Sequence, residues 1–95
     1  MKFEEFEEKV CEAYSIKTDD LYKRTRTKEI VYARYVMCYV MTKHLNVGKS
    51  SAGRRYNLNP ATTIHGINLI EKVSETNTMV NNLLQIAERE GVTLC

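Results

Sequence analysis

The stretch GKSSAGRRYNLNPATTIHGINLIEKVSE, from Gly48 to Glu75, decides the fold that this sequence predicts. It predicts a short helix over about residues 49–56, a turn at Asn57-Leu58, and a second helix that begins at Asn59-Pro60. Asn is a favoured N-cap, and Pro is favoured at the first helical position. The second helix carries four apolar residues at helical spacing, which predict its buried face: Ile64, Ile67, Ile70 and Val73. Two helices around a tight turn form a helix-turn-helix pattern.

The rest of the chain also predicts helices, because apolar residues recur at spacings of three and four. The predicted segments are a helix over about residues 2–14, a single turn over 18–22, a central buried helix over 28–45 and a last helix over 76–90. Thr27 is the expected N-cap of the central helix, and Gly48 is expected to close it in the left-handed conformation. Residues 91–95 are expected to form a loose tail. The sequence therefore predicts one all-α domain of five to six helices over residues 1–95, with the helix-turn-helix at about 48–75.

The middle of the chain is basic, whereas the remainder is acidic. Between Glu29 and Glu71 there are forty-one residues without a single Asp or Glu. From Lys23 to Arg55 nine bases stand against one acid, and the other residues hold five bases and eleven acids, for a net charge of +2. A compact domain with this layout carries a basic face on an acidic body, as polyanion-binding proteins do. Because the acid-free segment covers the helix-turn-helix pattern, this face is predicted to bind nucleic acid.

The sequence lacks the features of an enzyme, a metal protein or a membrane protein. Cys11 and Cys38 lie among apolar helical residues and are expected to be buried free thiols, while Cys95 is expected to be exposed. His44 and His65 give no zinc template with them. There is no phosphate-binding glycine loop, nucleophile elbow or paired carboxylates, so no catalytic residue, metal, cofactor or nucleotide is predicted. No apolar run approaches the ~18 residues of a membrane span, and the N-terminus is unlike a signal peptide, so a cytoplasmic location is expected.

Three motifs resemble a known family, the C-terminal DNA-binding domain of the bacterial replication initiator DnaA. The runs YSIKTDDL at residues 14–21 and KRTRTKEIVYAR at residues 23–34 resemble the family pattern F-G-V-x-x-x-D-L-x-x-K-S-R-x-x-x-I-V-x-A-R. GRRY at residues 53–56 resembles its I-G-x-x-F segment, and TTIHGINLIE at residues 62–71 resembles its T-V-x-H-A-x-x-K-I-E recognition helix. The resemblance covers about residues 3–74 and keeps the order of the motifs.

The resemblance implies an all-helical, Trp-repressor-like fold that reads double-stranded DNA at short origin boxes. Arg26 takes the place of an arginine that enters the minor groove in the family, and Arg34 takes the place of one that meets the DNA close by. Residues 49–51 lie where the family touches backbone and bases. The DNA-binding residues expected from the resemblance and the charge layout are Arg26, Lys28, Arg34, Lys49, Ser50, Ser51, Arg54, Asn59, Ala61, Thr62 and Thr63.

The start of the recognition helix departs from the family. The family signature D-H-[ST]-T is replaced by Asn59-Pro60-Ala61-Thr62. Pro60 lacks the donor and the reach of a histidine, whereas Asn59 and Thr62 can still contact bases. Phosphate attraction does not depend on these residues. DNA binding is therefore expected without the usual box specificity of the family.

Several alternatives stay open at the level of single residues. The alternative for Arg34 is a pairing with Glu29 or Glu71 inside the fold, and the alternative for Thr63 is a bond to a backbone carbonyl. Of the two neighbouring arginines 54 and 55, one is expected to cover apolar surface and the other to meet phosphate. His65 is expected to point outward, either as a hydrogen-bonded structural histidine or as a phosphate contact. The tyrosines Tyr32, Tyr35 and Tyr39 are expected to pack in the core and at its rim rather than to stack on bases.

Alternatives also remain for the function. The leading hypothesis is sequence-selective binding of duplex DNA in replication initiation or transcription control. One alternative is a protein-interaction module that mimics or docks onto a replication initiator, with a replication or regulatory protein as its partner. Another is a dimeric regulator of the Trp-repressor type. The 95 residues contain no Walker motif, so they are expected to act as a stand-alone binding module or as part of a longer protein.

Overall fold

A computed structural model describes residues 1–94, and in this range the chain forms five α-helices and one 3₁₀ helix. The helices are α1 (Phe3–Ala13), a 3₁₀ helix (Thr18–Tyr22), α2 (Lys28–His44), α3 (Lys49–Arg55), α4 (Pro60–Val73) and α5 (Thr78–Glu90). The all-α prediction is confirmed. Within residues 1–94 the extended pairing is limited to one isolated bridge, between Lys2 and Thr93. The expectation for Cys95 lies outside the described residues.

α2 forms the centre of the molecule and packs against every other helix. It buries residues on all of its faces, as the nearly continuous apolar sequence predicts. Tyr35 is buried, and Tyr32 and Tyr39 pack against the core at its rim, which confirms the packing role expected for them. None of the helices in the described part of the chain combines the length and the apolar character needed to cross a bilayer.

α2 ends differently from the prediction. Asn46, not Gly48, takes the left-handed conformation after the helix, with φ of 56°. Gly48 has φ −61° and ψ 148° and is the N-cap residue of α3. Asn adopts the left-handed conformation more readily than most residues because its short polar side chain can hydrogen-bond locally. The prediction of a glycine cap was therefore wrong by two residues, although the chain break itself lies where it was expected.

The turn of the helix-turn-helix is built on Asn57, as predicted. Asn57 is left-handed (φ 61°), and its N–H donates to the carbonyl of Arg54 over 3.1 Å. The N–H of Leu58 donates to the carbonyl of Gly53 over 2.9 Å. These two bonds are the pair that defines a Schellman helix end, and they fix the direction in which the chain enters α4.

The buried stripe of α4 was predicted correctly except at its first member. Ile67 and Ile70 are buried and Val73 packs against the core, but Ile64 is 42% exposed. The inward position in that turn belongs to the preceding residue, Thr63, which is fully buried against Gly53. On α5, the predicted Leu83 and Ala87 are buried, Met79 and Ile86 pack at the edge of the core, and Val80 is buried as well.

The segment after α5 is not a loose tail as far as Leu94. The N–H of Thr93 donates to the carbonyl of Met1 over 2.9 Å, and its carbonyl accepts from the N–H of Phe3 over 2.7 Å. Val92 is 6% exposed and belongs to the core. The prediction failed because the partners are backbone groups at the start of α1, where the first N–H groups of a helix lack partners within it.

Gly66 allows α2 and α4 to approach closely. A Cβ atom at this position would lie 2.2 Å from Cδ1 of Tyr35, whose ring is buried under α4. The family pattern has Ala at this place, so Gly66 departs from it where the ring of Tyr35 packs against α4. Gly66→Ala is expected to lower the free energy of unfolding by about 1–3 kcal/mol, because the ring must move out of a packed core. Urea unfolding measures this change, and the exposed Asn68→Ala on the same helix should stay within about 0.5 kcal/mol of the parent. Equal stability of the two variants would contradict the close approach.

Candidate nucleic-acid interface

A basic connector, defined as residues 23–27, joins the 3₁₀ helix to α2 and is shaped around the side chain of Arg34. The Arg34 Nε atom donates to the carbonyl of Leu21 over 2.9 Å, and Nη1 donates to the carbonyl of Thr25 over 3.0 Å. Nη2 donates to the carbonyls of Asp20, over 3.3 Å, and of Lys23. One guanidinium therefore ties together four backbone carbonyls across six residues of chain.

Arg34 itself lies inside the fold rather than on the basic face. Its exposed fraction is 4%, and burial lowers its pKa, with a further lowering from the nearby charge of Arg26. A guanidinium remains charged even so. Because its donors engage carbonyls, the alternative of a pairing with Glu29 or Glu71 is wrong. Arg26, by contrast, is exposed on the connector that Arg34 holds.

The start of α4 is capped as the sequence predicts. The Asn59 Oδ1 atom accepts from the N–H of Thr62 over 2.7 Å, and Pro60 occupies the first helical position. The Thr63 Oγ1 atom donates to the carbonyl of Asn59 over 2.9 Å, which confirms the alternative of a hydroxyl bound to backbone. Asn59, Pro60 and Ala61 are exposed, and Thr62 is partly exposed. The polar surface at this helix start is thus provided by Asn59 and Thr62.

A groove of about 620 Å³ connects the connector with the start of α4. From the connector it is lined by Lys23, Arg24 and Arg26, and from the helix-turn-helix by Asn59 and Thr62. The other lining residues are Val31, Arg34, Tyr35, Tyr56, Asn57 and Leu58. No acidic side chain is among the lining residues, so the groove combines positive charge with hydrogen-bonding groups and suits an anionic polymer.

α3 extends this basic face. Lys49, Ser50 and Ser51 are exposed at its start, and Arg54 is exposed with its Nη2 atom 3.3 Å from the Ser51 Oγ atom. Arg55 turns the other way and places its guanidinium carbon 4.4 Å from the centroid of the Phe3 ring. Arg55 covers apolar surface, as expected for one of the two arginines, and Arg54 is exposed on the basic face, where its phosphate contact stays a prediction.

The structure thus brings most of the predicted site residues to the surface and excludes two. Exposed or partly exposed are Arg26, Lys28, Lys49, Ser50, Ser51, Arg54, Asn59, Ala61 and Thr62. Arg34 and Thr63 are buried and hold backbone instead. His65 is exposed, as expected from helical phase, with its ring edge-on to Tyr35 at a centroid distance of 6.4 Å.

A buried carboxylate that the sequence analysis did not single out anchors the helix-turn-helix to α1. Glu7 is 5% exposed, and its Oε2 atom accepts from the hydroxyls of Tyr22 and Tyr56, each over 2.7 Å. Burial, and then Glu7, raise the pKa of Tyr56, and the same causes raise that of Tyr22. Helical phase was the available signal, since Glu7 follows Phe3 by four residues and precedes Val10 by three.

The remaining reactive groups are isolated. Cys11 and Cys38 are buried free thiols, as predicted, and burial raises the pKa of each to about 12. Thiols with such a pKa are protonated and unreactive near neutral pH. Among residues 1–94 no three His, Cys, Asp or Glu side chains lie together in a way that could hold a metal ion.

Comparison with known proteins identifies the family. The family model described as "Bacterial dnaA protein helix-turn-helix" matches residues 3–70. The chain is 30% identical over 86 residues to the chromosomal replication initiator protein DnaA of Oleidesulfovibrio alaskensis, covering 86% of this chain and 19% of that protein. It is 32% identical over 76 residues to the protein of the same name from Thermodesulfovibrio yellowstonii, covering 79% of this chain and 17% of that protein.

These matches cover most of this chain but less than a fifth of each relative. The matched range contains the connector, α2, α3 and nearly all of α4, and so it includes the whole candidate interface. Both the order of the motifs and the helix-turn-helix geometry agree with that assignment. The chain therefore belongs to the bacterial DnaA helix-turn-helix family.

Proposed function

We propose that this chain binds duplex DNA selectively through the start of α4, in replication initiation or in transcription control. Family membership implies the coarser part of this statement, DNA binding in replication initiation, and a DnaA helix-turn-helix domain is a binding domain rather than a catalyst. The observation that carries the proposal is the groove in which three connector bases meet Asn59 and Thr62 without an acid. One face thereby offers both phosphate attraction and base-edge contacts.

The contacts divide by chemistry. We assign Arg26 to the minor groove, and the exposed Lys28, Lys49 and Arg54 to phosphates, with Ser50 and Ser51 as hydroxyl donors beside them. Asn59, Ala61 and Thr62 face the major groove at the start of α4. Arg34 and Thr63 position this surface from inside the fold. Because the family's acid and histidine are replaced by Asn59 and Pro60, the sequence that is read differs from the family's usual box.

Binding to a randomised duplex library, at low and at near-physiological salt, tests the proposal. The retained duplexes are sequenced at each salt concentration. An enriched motif that persists at higher salt is the expected result. Retention without a motif, and at low salt only, would contradict selective binding and leave a protein partner as the alternative. Sedimentation without DNA separates a monomeric reader from a dimer that spans two half-sites.

Two substitutions distinguish the attraction of phosphates from the recognition of bases. Arg26→Ala is expected to weaken binding to all duplexes about five- to tenfold and to make the slope of log K against log salt shallower by about 0.9. Thr62→Ala is expected to weaken binding to the enriched motif about threefold, without changing non-specific binding. Lys9→Ala, on the acidic α1, removes the same charge away from the groove and serves as control. If Lys9→Ala and Arg26→Ala change the salt slope equally, the assigned face is wrong.

A further inference from the structure

Ile64 is unusual because it is a large apolar side chain on the open face of α4. Among residues 1–94 the exposed large apolar side chains are Tyr22, Ile64 and Leu94. The hydroxyl of Tyr22 is bound to Glu7, and Leu94 lies at the end of the described chain. Ile64 therefore stands apart as exposed apolar surface within the helix-turn-helix.

Ile64 continues an apolar surface that begins with the first residues of the helix. Ala61 precedes it by three positions, so the two side chains are neighbours on one helix face, and Pro60 is exposed beside Ala61. Two of the polar atoms in this turn, the Asn59 Oδ1 and the Thr63 Oγ1 atoms, are bound to the backbone. Asn59 caps the N–H of Thr62, and the hydroxyl of Thr63 is bound to a carbonyl.

We propose that Ala61 and Ile64 contact the C5-methyl groups of thymines in the major groove. This inference rests on the proposed function and names the chemical group that α4 recognises. The thymine methyl is the apolar group on the major-groove edges of unmodified base pairs, and small apolar side chains contact it. The basic residues of the connector and of α3 bring a duplex, not an apolar protein surface, to this face. Selectivity then comes largely from methyl contacts, whereas the family pattern has an acid and a histidine at the places of Asn59 and Pro60.

The inference is tested with one randomised duplex library made twice, once with thymine and once with deoxyuridine, which lacks only the methyl group. The parent chain is expected to bind the thymine library more tightly, by about fourfold for each methyl group in contact. Ile64→Ala is expected to reduce that ratio by about threefold, because most of the contacting surface is removed. Arg26→Ala is the matched control and should lower binding to both libraries while leaving their ratio unchanged.

The outcomes separate the two proposals. Equal binding of both libraries by the parent chain overturns the methyl inference and leaves DNA binding intact. A thymine preference that survives unchanged in Ile64→Ala overturns the assignment to this side chain. Retention of neither library removes the proposed function, and the inference with it. A thymine preference that falls in Ile64→Ala and not in Arg26→Ala supports the inference.

Discussion

Replacing Arg34 by Ala is expected to lower the free energy of unfolding by about 3–4 kcal/mol and to weaken binding to every duplex. The guanidinium holds the carbonyls of Asp20, Leu21, Lys23 and Thr25. Its removal takes this donor from the buried carbonyl of Leu21 and from three carbonyls that are partly buried. Hydrogen bonds from a charged donor are among the stronger ones in a protein. The connector that carries Arg26 would then lose its shape, so we expect DNA binding to fall through the displaced connector.

Arg34→Lys separates this positioning role from a phosphate contact. Lysine keeps the charge but has no planar fork, so it cannot serve four carbonyls in the same directions. We expect this variant to lose about 2 kcal/mol of stability and to bind DNA nearly as poorly as Arg34→Ala. A direct phosphate contact would instead be largely preserved by lysine. Urea unfolding and a salt series of DNA binding, measured on both variants, distinguish the two roles.

Trypsin digestion gives an independent measure of how readily the connector opens. Cleavage after Lys23, Arg24 or Arg26 requires local opening of this segment, and the bonds to Arg34 oppose that opening. Both Arg34 variants are expected to be cleaved there faster than the parent chain. Lys9→Ala, which leaves the connector bonds in place, should be cleaved at the parent rate. Unchanged cleavage in Arg34→Lys, together with parent-like DNA binding, would falsify the positioning role.

The helices could be predicted because their signals are local. The spacing of apolar residues and the Asn59-Pro60 start set each helix within about two residues of its observed bounds, as expected for helix ends. The prediction was wrong where the position of a residue depends on a neighbour that is distant in sequence. Ile64 faces solvent because Thr63 fills the space beside Gly53, and the chain end is ordered because Thr93 finds backbone partners at Met1 and Phe3. The spacing of apolar residues alone predicts neither of these two features.

The exposed bases of the candidate site could be predicted from charge. The residues whose role depends on hydrogen bonds to backbone groups could not. The exposed bases Lys49 and Arg54 lie in the acid-free segment, and Arg26 lies in the basic stretch from Lys23 to Arg55. The role of Arg34 could not be predicted, because its partners are carbonyl groups, which leave no pattern in the side chains. Glu7 gave a phase signal, but its tyrosine partners lie 15 and 49 residues away in sequence.

Alkaline pH is expected to unfold this chain well before it would unfold a protein without buried acids of high pKa. Burial raises the pKa of Cys11 and of Cys38 to about 12, and it also raises that of Tyr56. In the unfolded chain a thiol titrates near pH 8.5 and a tyrosine near pH 10, so the unfolded state releases protons first. Stability from these groups is therefore fully present below about pH 8.5 and is lost as pH rises toward the folded values.

The size of the loss in the free energy of unfolding follows from the number of protons that the unfolded state releases. Each buried thiol that stays protonated in the fold costs about 1.4 kcal/mol per pH unit above the unfolded pKa. The two thiols together remove about 5 kcal/mol between pH 9 and pH 11, and Tyr56 adds to the loss above pH 10. That amount is comparable with the whole stability of a small domain, about 5–15 kcal/mol. Unfolding near pH 11 is the expected result.

Single substitutions show how much of the stability loss at alkaline pH comes from each buried thiol and from the buried tyrosine. Cys38→Ala should make the fall in the free energy of unfolding shallower by about 1.4 kcal/mol per pH unit above pH 9, whatever it costs at neutral pH, because one fewer proton is released. Cys11→Ala should have the same effect. Tyr56→Phe should leave the slope between pH 8.5 and pH 10 unchanged and reduce it only above pH 10. Urea unfolding of the parent and the three variants, at half-unit steps from pH 7 to pH 11, measures these slopes. A parent stability that stays level up to pH 10.5 would mean that the thiols ionise inside the folded chain, and that burial does not hold them protonated.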